Sequence, residues 1–321
     1  MSTSSKISLG ALRVQAQENA DLENNSAVST EAWNSFITNS YKELYDMLIS
    51  AYGNDYYVAN TYQFSTSGTQ TYALPDGTSS FTDTTGSTAA KFYKLLGVDL
   101  QYSASPSGWI TLKRFEMIER NRFAMPNTQT SFVGYTNLRY RIQGDKIYFA
   151  PNPQSGQTVQ LWYAPAPTNL QFRLPCTLTL SQSVVSVLDP TGLSPGMSVS
   201  GNGVLGNTTI ASVGTTTFTM TNSASATYAS SILSMWSDAT LIEGISGWEE
   251  YVIVDAAIKA QGKQENDETP LLRRKIELKQ RIEAMAEGRD IGQAFHTSDV
   301  LGANGVWGGD SDGGGWGMGW W

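Results

Sequence analysis

Residue types that build catalytic and metal sites are nearly absent from this chain. It has one cysteine, Cys176, and one histidine, His296, in 321 residues. A single cysteine excludes an internal disulfide framework and a zinc site made of thiolates. One histidine outside every helical or strand pattern gives no local basis for a Ser/His/Asp triad or a Cys/His pair. The phosphate-binding and calcium-binding loop motifs are missing too, so we expect no cofactor and no metal.

Charged residues are scarce as well, at 16% of the chain, and the net charge is -8. DNA phosphates repel an acidic surface, so DNA binding is not expected to be its main role. The hydrophobic fraction of 40% is enough to build cores, and abundant Ser, Thr, Gly and Asn favour β-rich, loop-rich surfaces. The sequence shows no signal-peptide pattern and no apolar run of about 18 residues. We expect a protein that stays in a cytoplasm unless lysis or a particle carries it out.

Apolar residues recur at helical spacing near both ends of the chain. Ser8 is a predicted N-cap of a first helix, and a longer helix is predicted from about residue 30 to residue 52. Residues 246–290 predict a helical hairpin, because Ser246 and Glu249 have the spacing of a capping box. The residues expected to pack these helices together are Trp33, Tyr41, Leu44, Trp248, Tyr251 and Ile282.

Between the helical segments the apolar period changes to two, which predicts β-strands. Residues 58–74 predict a hairpin, and residues 138–163 predict a three-stranded meander. Residues 113–123 differ, because their mixed charges and apolar spacing predict a short helix with Phe115 and Ile118 inward.

The predicted fold class is α+β: a helical bundle formed by the N- and C-terminal helices, a small antiparallel sheet, and an inserted β-module. Residues 1–173 contain the first helices and the sheet, and residues 174–236 are a Ser/Thr/Gly-rich module with almost no charge. Residues 237–290 complete the helical core, and residues 291–321 form a Gly/Trp-rich tail.

Two segments carry residues suited to contacts with other macromolecules. The Gly-rich tail cannot fold alone, and its tryptophans are costly to leave in water. We therefore predict that the tail docks on a partner, and the alternative is that it packs back on its own subunit. Its tryptophans are Trp307, Trp316, Trp320 and Trp321.

The second segment is a basic cluster, which suits either DNA phosphates in a channel or acidic groups of a neighbouring subunit. The acidic total of the chain favours the neighbouring subunit. The cluster consists of Lys113, Arg114, Arg120 and Arg122, together with Arg139, Arg141 and Lys146.

Paired carboxylates leave open a cell-wall hydrolase, since glycoside hydrolysis needs only two carboxyl groups about 5 to 9.5 Å apart. The candidate pairs are Glu43 with Asp46, Glu116 with Glu119, and Glu249 with Glu250. A second alternative is a tail or fibre component whose β-module binds a surface glycan by stacking on Trp236 or Tyr228.

Several ordered blocks of sequence carry a family resemblance. They are TEAWNSFITNSYKELYDMLISAYGNDYY at 30–57, YALP at 72–75, KFYKLLGVDL at 91–100, LKRFEMIERNRF at 112–123, LRYRIQGDKIYFAPNPQSGQTVQLWYAP at 138–165, and GWEEYVIVDAAIKA at 247–260. Together they resemble the head-to-tail adaptor, or connector, proteins of short-tailed, podovirus-like bacteriophages.

The resemblance implies a structural virion protein without enzymatic activity. Such adaptors assemble as a ring, commonly of twelve copies, beneath the portal protein after DNA packaging. The ring extends the channel for the double-stranded DNA and gives the tail nozzle or tail fibre proteins a docking platform. The expected location is the neck of the virion, with assembly in the host cytoplasm, and the C-terminal segment is expected to reach the portal.

Overall fold

A computed structural model of the protein describes residues 6–23, 27–52, 57, 60–78, 80–83, 86–101, 108–121, 138–242 and 247–287. Four α-helices lie within these ranges: α1 (Leu9–Asn19), α2 (Thr30–Tyr52), α3 (Glu249–Lys263) and α4 (Thr269–Glu287). None of the described helices is long and apolar enough to cross a membrane.

Strand outweighs helix in the described residues, with 34% strand against 29% helix. The strands form a two-stranded sheet, two four-stranded sheets and a closed six-stranded barrel. The predicted fold class, a helical bundle with a small sheet, is therefore wrong. The physical reason is that the buried apolar residues divide among a helical core, a core shared by the two four-stranded sheets, and a barrel core.

The first two helices begin where the sequence predicted. Ser8 is the N-cap of α1, and its Oγ accepts a hydrogen bond from the N–H of Ala11 at 3.2 Å. Helix α2 has the predicted length, and its apolar stripe is buried. The start of α1 is held by β1 (Ile7–Ser8), which pairs antiparallel with β16 (Leu241–Ile242) just after the barrel. The pairing thereby connects the start of α1 to the segment that follows the barrel.

Helices α3 and α4 form the predicted hairpin against α1 and α2. The N-cap of α3 is Trp248, so the helix starts later than the capping box of Ser246 and Glu249 predicted. Ser246 lies outside the described residues, and the carboxylate of Glu249 accepts a hydrogen bond from the N–H of Gly247 at 2.8 Å. On α4, Leu278 and Ile282 are buried, whereas three other apolar residues of this helix are exposed. The exposed ones are Leu272, Ile276 and Met285.

Two four-stranded sheets pack face to face around one core. The first has the order β2-β9-β4-β5, with β2 (Asn60–Ser65), β4 (Phe92–Gln101), β5 (Trp109–Thr111) and β9 (Thr158–Pro165). The second has the order β3-β8-β7-β6, with β3 (Thr71–Ala73), β6 (Lys113–Arg114), β7 (Arg139–Gln143) and β8 (Lys146–Ala150).

Strand pairing corrects two predictions. The hairpin predicted over residues 58–74 is wrong, because β2 pairs with β9 and β3 pairs with β8 in the other sheet. The meander is correct for β7 and β8 but wrong for β9, which pairs with β2 and β4. An alternating pattern identifies the buried face of a strand but not its partner.

The short helix predicted over residues 113–123 is also wrong. Lys113 and Arg114 form β6, which pairs parallel with β7, and only Met117–Glu119 make a turn of 3-10 helix. Phe115 is buried as predicted, whereas Ile118 is 88% exposed. The pairing with β7 engages backbone hydrogen-bonding groups that an α-helix would need for its own hydrogen bonds.

Residues 171–236 form the closed barrel, with the order β10-β11-β14-β13-β12-β15. Alternate residues fill the interior, which contains Phe218, Leu233 and Met235. Closure leaves no unpaired strand edge. The strands are β10 (Gln171–Leu178), β11 (Val184–Val187), β12 (Ser198–Ser200), β13 (Thr208–Val213), β14 (Thr217–Met220) and β15 (Tyr228–Trp236).

Candidate assembly surfaces

The carboxylate pairs that the sequence offered for hydrolysis have structural contacts instead. Glu116 lies 3.5 Å from Arg141, and Asp46 accepts a hydrogen bond from the Tyr93 hydroxyl. Glu250 forms an ion pair with Arg274 at 2.6 Å. Each of the three pairs therefore contains a carboxylate with a partner within the subunit.

The sulfur of Cys176 is unsuited to nucleophilic chemistry. Burial raises the pKa of the thiol to about 11, so it stays protonated at neutral pH. His296 lies outside the described residues. Within those residues, no group of three or more His, Cys, Asp and Glu side chains is placed to hold a metal ion.

The two aromatic residues proposed for glycan stacking do not form one site. Trp236 is 7% exposed and packs in the helical core, while Tyr228 is 38% exposed. They lie at opposite ends of β15, which separates them by roughly 26 Å at the rise of a β-strand. A single sugar cannot stack on both.

The residues expected to pack the helices meet in or against one cluster. Trp33, Tyr41 and Leu44 are buried on α2, and Tyr251 and Ile282 are buried on α3 and α4. Trp248, just before α3, is partly buried, and the guanidinium of Arg281 lies 5.7 Å from the centre of its ring.

Four charged side chains meet where α2, α3 and α4 pack together, and we call them the charge cluster: Glu43, Asp255, Lys259 and Lys275. Asp255 is only 2% exposed, and its carboxylate contacts Lys259 at 2.5 Å and Lys275 at 2.7 Å. Lys275 also contacts Glu43 at 3.0 Å. The cluster links three helices, because each charge has a partner on another helix or one turn away.

Burial and hydrogen bonding act in opposite directions on the charge cluster. Burial raises the pKa of Asp255, but hydrogen bonds from Lys259 and Lys275 outweigh it and hold this pKa below its usual value. Burial lowers the pKa of Lys275, but its two carboxylate partners outweigh that and raise it. The ion pairs are therefore intact at neutral pH.

Sequence reasoning missed the charge cluster. Its one sequence signal is the spacing of four residues between Asp255 and Lys259, which places them on the same face of a helix. Glu43 is more than 200 positions from its partners, so nothing local connects them. The same spacing of four residues on α4 joins Lys279 to Glu283 at 3.9 Å on the surface.

The outer face of the second sheet is basic, and we call it the basic sheet face: Lys113, Arg139, Arg141 and Lys146. Lys113 lies opposite Arg139, and Arg141 lies opposite Tyr148. The alternate residues of β7 and β8 pack into the core on the other side. The pleat of the sheet therefore collects these charges on one side.

The basic cluster predicted from sequence is only partly brought together. Lys113 lies on the basic sheet face, whereas Arg114 lies opposite the core-facing Tyr140. Arg120 donates a hydrogen bond to the carbonyl of Met117 at 3.1 Å, at the end of the 3-10 turn. Arg122 lies outside the described residues, as do Trp307, Trp316, Trp320 and Trp321 of the tail.

Comparison with protein families identifies the class of protein. A comparison with curated proteins gave no match. The family model described as SU10 adaptor protein matches residues 8–184, which is more than half of the chain. This segment contains α1, α2, both four-stranded sheets and the first barrel strand. The chain therefore belongs to the SU10 adaptor protein family, a family of phage adaptor proteins.

Proposed function

We propose that the protein forms the head-to-tail adaptor ring of a short-tailed bacteriophage. Twelve copies bind beneath the portal protein, extend the channel through which double-stranded DNA passes, and give the tail nozzle its docking platform. The observation that carries the proposal is the adaptor family match over residues 8–184. The protein acts by binding and not by catalysis, in the neck of the virion after assembly in the host cytoplasm.

The helical layer contains helices from both inside and outside the matched segment, which supports treating the chain as one assembling subunit. Helices α3 and α4 lie beyond the matched segment, yet α3 buries its apolar residues in the core that contains α1 and α2, and Leu278 and Ile282 of α4 join that core. Lys275 of α4 contacts Glu43 of α2 inside the matched segment. The C-terminal hairpin is therefore part of the same core as the family segment, and a ring subunit would contain both.

Binding to the portal tests the proposal directly. The full-length chain would be mixed with purified portal rings of the same phage and examined by negative-stain microscopy. We expect a second ring stacked coaxially on one end of the portal. Free subunits beside undecorated portals would contradict the proposal, and trimeric fibres would indicate a peripheral tail component.

For the tail we propose docking on the portal through its tryptophans, because each can bury on the order of 200 Å² in a partner. Deleting residues 303–321 should leave the far-UV circular dichroism and the melting temperature unchanged. It should weaken binding to portal rings at least tenfold. A matched control changes Asp310 and Asp312 to Asn and keeps the tryptophans, and we expect wild-type binding from it. Wild-type affinity of the deletion variant would refute this role.

A further inference from the structure

The basic sheet face is a positive region on a negative protein. The described residues of segments 108–121 and 138–150 contain six basic and three acidic side chains, whereas the whole chain has a net charge of -8. Arg141 is 25% exposed, and its one ion-pair partner among the described residues is Glu116 at 3.5 Å. This face is therefore suited to a negatively charged partner.

An equally distinct acidic region lies at one end of the helical layer, and we call it the acidic helix end: Glu18, Asp21, Glu23, Glu265, Asp267 and Glu268. Glu18 lies in the last turn of α1, and Asp21 and Glu23 follow that helix. The other three lie in the connection between α3 and α4. Gln261 joins the two segments by donating a hydrogen bond to the carbonyl of Ala20 at 3.3 Å. Lys263 is the one basic residue in these two stretches.

Each charged region carries exposed apolar side chains. Beside the basic sheet face, Ile118 is 88% exposed and Met117 is 37% exposed. On α4, which begins at the acidic helix end, Leu272 is 42% exposed and Ile276, about one turn further along, is 59% exposed. Apolar anchors next to complementary charges are the composition of a protein interface.

We propose that the basic sheet face of one copy docks on the acidic helix end of the next copy. This inference rests on the adaptor ring proposed above and names the contact that builds it. The two regions lie on different elements of the subunit, so the contact is heterologous, and repeated contacts of this kind close into a ring when the rotation permits. A ring of this kind needs no symmetric interface.

A second copy fits this face better than DNA does. The chain itself supplies the complementary acidic region, with six carboxylates and one lysine. Glu116, which is 63% exposed, lies beside Arg141 and would repel a phosphate backbone. A carboxylate among basic residues can instead be accommodated opposite Lys263 in a protein contact.

Charge reversal on one side at a time tests the contact. One variant combines Lys113→Glu with Lys146→Glu, and the other combines Glu18→Lys with Glu265→Lys. Each variant alone should associate at least tenfold more weakly than the wild type, measured by sedimentation velocity in the presence of portal rings. An equimolar mixture of the two should form rings again, because alternating copies then present opposite charges to each other. A chain carrying all four changes should also regain association.

The control is a matched reversal elsewhere, Lys94→Glu with Arg173→Glu, which we expect to leave association unchanged. Thermal melts of every variant confirm that the fold is retained. Wild-type association of the single-side variants, or failure of the mixture to recover, would overturn the proposed contact while the ring itself stands. Lost binding to a double-stranded DNA probe with unchanged ring formation would assign the basic sheet face to DNA. Absence of rings from the wild type on portals would instead refute the proposed function and the contact together.

Discussion

The helical layer and the barrel are stabilised by different kinds of interaction. Three helices meet around the charge cluster, in which Asp255 is 2% exposed and contacts two lysines. The barrel, over residues 171–236, has only Arg173 and Asp189 as charged residues. Its strands close on themselves around an apolar interior. Directional ion pairs thus fix the helices relative to one another, whereas backbone pairing and apolar burial fix the barrel.

The difference follows from how helices and strands are held in register. Helices packed by side chains alone can slide or rotate unless specific contacts set their register, and buried polar contacts can set it. A closed barrel has its register set by the strand ladder. The barrel meets the helical layer at one open end, where Trp236 enters the helical core and Gln171, its partner in the strand pairing, donates a hydrogen bond to the carbonyl of Glu31 at 3.3 Å.

The largest expected effect is on the barrel core. Phe218 is 1% exposed in the interior, so Phe218→Ala should lower the free energy of unfolding by about 4 kcal/mol through lost burial and a cavity. Guanidinium denaturation measures this loss. The exposed Ser230 on β15 provides the control, since Ser230→Ala should change stability by less than about 0.5 kcal/mol. A loss below about 1 kcal/mol for Phe218→Ala would contradict a barrel held by its apolar interior.

The next largest effect is on the charge cluster. Asp255→Ala leaves Lys259 and Lys275 without their buried carboxylate and should cost about 3 kcal/mol in urea denaturation. Glu283 is the matched control, because its ion pair with Lys279 is 3.9 Å long and about half exposed. We expect Glu283→Ala to cost less than about 0.5 kcal/mol. Equal costs for the two variants would remove the special role of the charge cluster.

Acid should destabilise the helical layer, because its charge cluster depends on the ionised carboxylate of Asp255. The pKa of Asp255 is lowered in the folded state, so its contribution to stability is present above the ordinary value of 3.8 and is lost as pH falls below that value. The melting temperature followed by helical circular dichroism should therefore drop between pH 5 and pH 3. In Asp255→Asn this drop should be smaller. An unchanged pH profile in the variant would mean that other carboxylates govern acid unfolding.

The smallest effect is expected for a surface ion pair. Glu250 and Arg274 are 2.6 Å apart, but both side chains are nearly half exposed, at 46% and 45%. Solvent screens such pairs, so Glu250→Gln should destabilise the protein far less than Asp255→Ala does, and the loss should shrink in high salt. A cost near that of Asp255→Ala would show that exposure does not distinguish the two sets of ion pairs.

Local signals in the sequence predicted local structure. The N-cap at Ser8, the long helix α2 and the turn between β7 and β8 follow from capping chemistry and periodicity, and all three are present. Strands β2 and β9 pair with each other although they lie about 100 positions apart, and no periodicity in the sequence specifies that pairing. The fold class was predicted wrongly for the same reason. Alternating segments predict strands, but they do not show how many sheets those strands form.

The candidate surfaces were likewise predictable from the sequence only in part. Lys113 was identified from its position in a basic run, but the face that it shares with Arg139 depends on the parallel pairing of β6 with β7. The acidic helix end was not anticipated, because its two segments are about 240 positions apart and are brought together by the packing of α1 on α3, where Gln261 contacts Ala20. Charge alone marks such residues, and tertiary packing decides which of them form a surface.

A cryo-EM map of the intact neck tests the central claim most directly. The adaptor proposal predicts a ring of this chain between the portal and the tail nozzle, with DNA passing through its centre. If the map instead places the chain at the tail periphery in trimeric or sixfold copies, the protein is not the adaptor ring of its particle.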